Sequence, residues 1–236
     1  MQVAAVIPGA GKSLRFSQQS KVGDISLPKQ FRTLAQQPLI IWTLHLFVDA
    51  EIITQIVVVV PEDYVIWMQG WIDVMETKKE ILVTAGGEKR QDSVKNGLEK
   101  VRNDMDVVVV HDAVRPFIRE RWILETVDLC SDYDGAIVAI RARDTMKKVE
   151  SGIVEKTLDR SHIWQAQTPQ TFKKNKLVSA YENAGKRKII GTDEAQLVEL
   201  NGGRVAVIEG DPDNIKITTP VDWTLAEKIW ERKYRD

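Results

Sequence analysis

One cysteine in 236 residues, Cys130, leaves no internal disulfide possible and points to a reducing compartment. It falls in an apolar helical pattern, so packing rather than nucleophilic chemistry is its expected role. Histidine is almost as scarce: His45 and His162, like Cys130, show no metal-ligand spacing, and no serine occupies a nucleophile elbow. Excess charge is missing too. The 33 Lys and Arg against 34 Asp and Glu give a net charge of -1, so no global field recruits nucleic acid or an acidic membrane surface. Long apolar runs are absent: residues 3–7 are too few to span a bilayer, and Thr43 and His45 interrupt residues 38–48. Repeats, low-complexity tracts and flexible linkers are absent as well. The seven tryptophans do not alternate with basic residues, which argues for packing rather than base stacking. These absences leave a soluble, cytoplasmic-type enzyme with no nucleic-acid or membrane partner as the expectation.

What is present suits one α/β domain over residues 1–236, at 43% hydrophobic and 28% charged residues. Short β-branched runs recur at residues 56–60, 81–84, 107–110, 136–140, 205–208 and 215–218. Most are continuous rather than alternating, as strands covered on both faces should be. Helical patterns lie between many of them, at residues 38–48, 62–75, 93–101 and 120–129. The alternation predicts a mostly parallel twisted sheet flanked by helices, with ligands at the carboxyl ends of its strands. Residues 141–162 break it. Two polar β-prone stretches, 145–150 and 153–158, joined by Ser151-Gly152, read as a hairpin arm. A lone ribbon is marginal in water, so this arm packs either on a second subunit or on its own monomer as a flap. Thr219 as N-cap, Pro220 at the first helical position and Asp222 in the first turn mark the last helix.

The chemistry starts at residues 3–7, a strand feeding Pro8-Gly9-Ala10-Gly11-Lys12-Ser13-Leu14-Arg15, with Pro28-Lys29-Gln30 beyond. Glycines let the main chain turn sharply and bring N–H groups near an anion, while Arg15 and Lys29 can flank a polyphosphate. This is neither of two familiar phosphate loops. A Walker A loop needs glycine where Val6 stands, and a dinucleotide fingerprint needs a third glycine where Leu14 stands. The second constellation is Gly86-Gly87-Glu88-Lys89-Arg90-Gln91-Asp92-Ser93. It is either a base or phosphate site, through Arg90 and the Ser93 hydroxyl, or ordinary capping with Asp92 or Ser93 as N-cap. The third is His111-Asp112-Ala113-Val114-Arg115-Pro116. There Asp112 either meets a metal–triphosphate complex or substrate hydroxyl or is a turn aspartate. Arg115 either serves a ligand or pairs with an acidic neighbour, and His111 reads as structural. Thr145, Arg160, Thr168-Pro169-Gln170, Thr192-Asp193-Glu194-Ala195 and Asn214-Ile215-Lys216 are weak singly. Thr192 would cap a helix, Thr168-Pro169 would mark a turn and Lys216 could reach solvent from a strand.

Taken in order, these segments resemble the 2-C-methyl-D-erythritol 4-phosphate cytidylyltransferases over nearly the whole chain. The resemblance implies a Rossmann-like nucleotidyltransferase fold, transfer of CMP from CTP to methylerythritol phosphate with release of pyrophosphate, Mg2+ dependence, and a homodimer whose arm reaches the partner's site. Position by position, it makes Arg15 and Lys29 transition-state stabilisers and gives CTP to Pro8, Gly9, Ala10, Gly11, Lys12, Ser13, Gly87, Arg90 and Ser93. Asp112, Ala113, Arg115, Thr168, Thr192 and Lys216 would line the acceptor side, with Thr145 and Arg160 arriving on the other subunit's arm. Arg160 and Lys216 would position the incoming phosphate. No protein ligand to Mg2+ follows from the resemblance. The chain departs from the family pattern at Gly9, usually Ala, at Ser13, usually Gly, and at Val114, usually Ala; residues 17–27 are also longer than usual. A ribitol 5-phosphate cytidylyltransferase shares the loop, the Thr-Pro-Gln segment and the arm, but Glu194-Ala195 and Met146-Lys147 favour methylerythritol phosphate by resemblance. A P-loop NTPase would hydrolyse ATP or GTP without an acceptor, and a silent nucleotide-binding protein would have no need of both Arg15 and Lys29.

Overall fold

A computed structural model describes residues 1–11 and 27–234. Seven strands form the central sheet: β1 (Val3–Pro8), β4 (Ile53–Val60), β5 (Glu80–Ala85), β6 (Val107–Val110), β7 (Gly135–Arg141), β10 (Trp164–Lys173) and β11 (Val205–Glu209). Two pairs stand apart from it, β2 (Thr33–Leu34) with β3 (Gln37–Pro38), and β8 (Lys147–Glu150) with β9 (Ile153–Thr157). The helices are α1 (Leu39–Asp49), α2 (Val65–Asp73), α3 (Arg90–Leu98), α4 (Glu120–Asp128), α5 (Lys174–Arg187), α6 (Glu194–Leu200) and α7 (Pro220–Tyr234).

The sheet runs β11-β7-β10-β6-β1-β4-β5 and is parallel except for β10, which is antiparallel to both β6 and β7. Successive side chains leave a strand on opposite faces, and the core divides accordingly. Val3, Ala5 and Ile7 of β1 and Val107 and Val109 of β6 pack with Leu44 and Phe47 of α1 and Trp122 of α4. Ala4, Val6, Val108 and Val110 face the other way, onto Val94 of α3, Leu177 of α5 and Leu197 of α6. Both faces are covered, which is why these strands read as unbroken apolar runs. Helix α7 adds a third cluster, with Trp223, Ala226 and Ile229 against Leu39 and Phe117. Its N-terminus is a reciprocal cap in which Thr219 N–H donates to Asp222 Oδ2 (2.7 Å) and Asp222 N–H to Thr219 Oγ1 (3.3 Å).

Two expectations change. Residues 215–218 are not a strand: Ile217 N–H bonds to the Val114 carbonyl (3.0 Å), and the Ile217 side chain is buried in the α7 cluster instead of joining the sheet. Conversely, Thr168-Pro169 is not a turn but sits inside β10, where the register against β7 shifts between Ala166 and Gln170. A proline cannot donate to a ladder, and such an irregularity is where a sheet tolerates one. The arm is present as β8 and β9, exposed along its length.

The chain order places the site. From β1 the connections run outward to β4 and β5 and then return to β6 on the other side of β1. Such a reversal opens a crevice beyond the strand ends, and residues following β1, β5 and β6 line one here.

Candidate functional site

The first wall is the turn after β1. Gly9 N–H donates to the Val59 carbonyl (2.7 Å), continuing the ladder one residue past the strand. Gln30, only 1% exposed, donates its amide to the carbonyls of Gly9 (2.7 Å) and Gly11 (3.0 Å) and fixes the turn from outside. Gln30 belongs to a 3-10 turn, Lys29–Phe31, whose Phe31 stacks on Tyr64 at a centroid distance of 4.2 Å. Lys29 is thereby carried into the crevice on a turn anchored by two buried neighbours. Lys12, Ser13 and Arg15 lie outside the described residues.

The second wall follows β5. Gly86 N–H bonds to the Val60 carbonyl (2.8 Å), and a Cβ on Gly86 would stand 2.2 Å from the Ala10 Cβ. At Gly87 it would stand 2.3 Å from the Asp92 Cβ. Close approach of backbone to neighbouring side chains, not a positive φ, is what requires glycine at both positions. The Ser93 hydroxyl accepts from Gly87 N–H (3.1 Å) and donates to the Lys89 carbonyl (3.0 Å). Neither Asp92 nor Ser93 is the N-cap. Lys89 holds that position, and Asp92 on the first turn accepts from its N–H (3.0 Å).

The third wall, after β6, is a directed hydrogen-bond chain. The Arg115 carbonyl can only accept, so the hydrogen of the buried His111 ring is on Nε2 (3.0 Å). Its Nδ1 then accepts from the Thr168 hydroxyl (2.9 Å), and that hydroxyl accepts from Asp112 N–H (3.3 Å). Burial pushes the imidazole down to about 4, so the ring is neutral and structural. Asp112 is fixed at the centre. Its Oδ1 meets Arg90 Nε (3.0 Å), and its Oδ2 meets Lys216 Nζ (2.8 Å) and Arg115 Nε (3.6 Å). Burial alone would raise this carboxyl, but the three cations hold it well below the usual carboxylate range. The Arg115 guanidinium also donates to the Asn214 carbonyl (2.6 Å), so the expected pairing with an acidic neighbour is present beside a backbone contact.

Arg90 carries a second commitment. Its Nη1 and Nη2 fork onto Glu194 Oε1 (2.7 Å) and Oε2 (2.9 Å). Burial would lower the guanidinium pKa, but the two carboxylates raise it above its ordinary value. Pro8, Gly9, Ala10, Gly11, Lys29 and Gly87 line the crevice together with Arg90, Ser93, Asp112 and Lys216. Other expected residues lie off it. Ala113 is fully buried in the core, and Thr168 is buried with its hydroxyl engaged in the His111 chain. Thr192 is exposed and does not cap α6; Asp193 does, accepting from Gln196 N–H (2.9 Å). Thr145 and Arg160 are exposed at the arm, where Arg160 donates to the Arg143 carbonyl (2.7 Å). Gln30 and Glu194 were not visible as site residues from their own segments, since their partners are distant in the chain. Among the described residues no group of three or more His, Cys, Asp or Glu is arranged to hold a metal, and the crevice-lining acids are Glu88 and Asp112.

A family model described as IspD, 2-C-methyl-D-erythritol 4-phosphate cytidylyltransferase, matches residues 3–232. A 2-C-methyl-D-erythritol 4-phosphate cytidylyltransferase of Geotalea uraniireducens is 41% identical over 236 residues, covering 96% of each chain. One of Geobacillus thermodenitrificans is 39% identical over 229 residues, 97% of each. Among solved structures, the 4-diphosphocytidyl-2C-methyl-D-erythritol synthase of Anaerococcus prevotii superposes with a TM-score of 0.85 at 26% identity, covering 98% of this chain and 99% of that one.

Proposed function

The chain belongs to the 2-C-methyl-D-erythritol 4-phosphate cytidylyltransferase family, and from that premise we propose how its crevice carries the family's reaction. The reaction transfers CMP from CTP to 2-C-methyl-D-erythritol 4-phosphate, a step of non-mevalonate isoprenoid biosynthesis. An acceptor phosphate oxygen forms a bond to the α-phosphorus while the bond from that phosphorus to the bridging oxygen of pyrophosphate breaks. The nucleophile is already ionised, so no side-chain base is required, and neutral His111 is not one. Repulsion between two phosphates is the barrier to offset. The observation that carries the reading is that Lys29, Arg90 and Lys216, from separate stretches of the chain, line one crevice around Asp112.

In this reading the glycine turns after β1 and β5 cradle CTP, and Lys29, with Arg15, stabilises charge as it grows on the phosphoryl oxygens. Lys216, with Arg160 from a partner's arm, orients the acceptor phosphate, and Asp112 addresses the acceptor. The donor set suits Mg2+ arriving with the triphosphate rather than in a protein cage, since Mg2+ keeps its waters and takes one or two carboxylates plus phosphates. Glu88 would be its protein contact, since both oxygens of Asp112 are taken by cations, and bound Mg2+ would neutralise phosphate charge. A homodimer is supported by the arm itself: Val149, Ile153 and Val154 are exposed on a two-stranded ribbon too small to be stable alone. A cytoplasmic location is supported by the lone buried cysteine, and no described helix is long and apolar enough to cross a membrane. Pyrophosphate release from CTP, measured with methylerythritol phosphate and with ribitol 5-phosphate, tests the reading. Preference for the first is expected, and preference for ribitol phosphate would overturn it.

A further inference from the structure

We propose that Glu194 is a positioning residue for the acceptor side of the crevice, acting through Arg90 on Asp112; this rests on the cytidylyl-transfer reading above. Glu194 is 1% exposed on α6 and is not among the residues lining the crevice, so it acts on the reaction through a neighbour. Its two oxygens take the two terminal nitrogens of Arg90, at 2.7 and 2.9 Å, and the Tyr181 hydroxyl donates to Oε1 (3.0 Å). A bidentate fork fixes the guanidinium plane, not merely its distance. With the plane fixed, Nε is aimed at Asp112 Oδ1 (3.0 Å), which leaves Oδ2 to Lys216 (2.8 Å). The orientation of the crevice carboxylate is thus set two residues away.

Stability alone does not account for this arrangement. A buried ion pair is often no better than apolar side chains of the same volume, whereas its directionality has no apolar substitute. Taking away the charge of Glu194 would leave Arg90 attracted to Asp112 but unaligned, so the carboxylate that the reading above turns to the acceptor would lose its fixed orientation. The residue is therefore expected to govern the acceptor side rather than CTP binding.

The test compares Glu194→Gln, Arg90→Lys and their double variant with the wild-type enzyme by steady-state pyrophosphate release, with thermal melts confirming folding. Gln keeps the shape but turns an N–H2 toward the guanidinium, and Lys keeps the charge at Asp112 without the fork. Each single variant should raise KM for methylerythritol phosphate about tenfold, Glu194→Gln should leave KM for CTP within about twofold, and the double variant should be no worse for the acceptor than either single one. An unchanged acceptor KM in folded Glu194→Gln, a rise in the CTP KM instead, or multiplying losses in the double variant would overturn the proposal. If Glu194→Gln does not fold, Arg90→Lys alone decides, by the acceptor KM: an unchanged value overturns the proposal. Wild-type enzyme that releases no pyrophosphate with methylerythritol phosphate would sink the reaction assignment and this inference together, whereas active wild type with unaltered variants sinks only the inference.

Discussion

Acidification from pH 7 to pH 4 should destabilise the protein by an amount of which one share belongs to His111. The ring is fully buried, and burial pushes it down to about 4 from an ordinary 6.5. Between those values the unfolded chain binds a proton that the folded chain excludes, so stability falls as pH falls. The contribution is whole above pH 6.5, declines to about pH 4 and is flat below. At 1.36 kcal/mol per pH unit the loss comes to about 3 kcal/mol. Carboxylates held down by cations, Asp112 above all, lose stability in the same direction, so a comparison is needed to isolate the imidazole. His111→Asn supplies it. The amide does not titrate, and its oxygen takes the place of Nδ1 as acceptor for the Thr168 hydroxyl. Losing the donor to the Arg115 carbonyl costs about 1–3 kcal/mol at every pH and leaves the slope alone. Urea unfolding followed by tryptophan fluorescence, at one fixed protein concentration so that association does not move the midpoint, gives both curves. The wild-type advantage at pH 7 should shrink by about 3 kcal/mol by pH 4. Parallel curves would refute the reasoning: the ring would then be charged in the fold below its ordinary value, and Nδ1 would donate to the Thr168 hydroxyl instead of accepting from it.

Lys29→Ala, and separately Arg15→Ala, should lower turnover by about two to three orders of magnitude in protein that still folds by circular dichroism, and unchanged turnover would dismiss them as transition-state stabilisers. Gly86→Ala drives a methyl into Ala10 across the crevice. A stability loss of about 1–3 kcal/mol should accompany weaker CTP binding by calorimetry, and wild-type affinity would show that the two turns need not approach so closely. Val154→Glu on the arm should convert a dimer to monomer in light scattering and raise the KM for methylerythritol phosphate by removing Arg160 from the partner's site; wild-type protein that is already monomeric at micromolar concentration contradicts the arm's role.

The sheet was legible where both faces of a strand are covered. In β1, in residues 56–60 of β4 and in β6 no polar residue is needed on either side, so the apolar run is continuous and only a buried strand fits it. β10 escaped for the opposite reason. Gln165, Gln167, Thr168, Gln170 and Thr171 look like loop, yet most of them are buried because partners elsewhere satisfy them: Gln170 reaches Asp193 (2.9 Å) and supports Ala195 N–H (3.2 Å), and Thr171 reaches Thr126 (2.8 Å). Residues 215–218 deceived in reverse, since their β-branched side chains answer to the α7 cluster rather than to a ladder. Local pattern reports burial well and hydrogen-bond partnership poorly.

The same limit shaped the site. Glycines and basic residues marked the crevice because a sharp turn and a positive charge are properties of single positions. What a cation is paired with is not, and Arg90, in a segment that looks built for phosphate, is held by carboxylates 22 and 104 residues away. Lys216 differs from Arg90 in this respect. Its side chain is 38% exposed and pairs with Asp112 at 2.8 Å, so in the proposed reaction an acceptor phosphate would compete with that carboxylate for it. If Lys216 leaves, Asp112 still faces Arg90 and Arg115 and is not left as an uncompensated buried charge, which is the outcome that makes breaking a buried pair expensive. In the proposed reaction the surplus of cations around Asp112 would let one of them be exchanged to substrate, while the fork from Glu194 would keep the cation that stays behind in line.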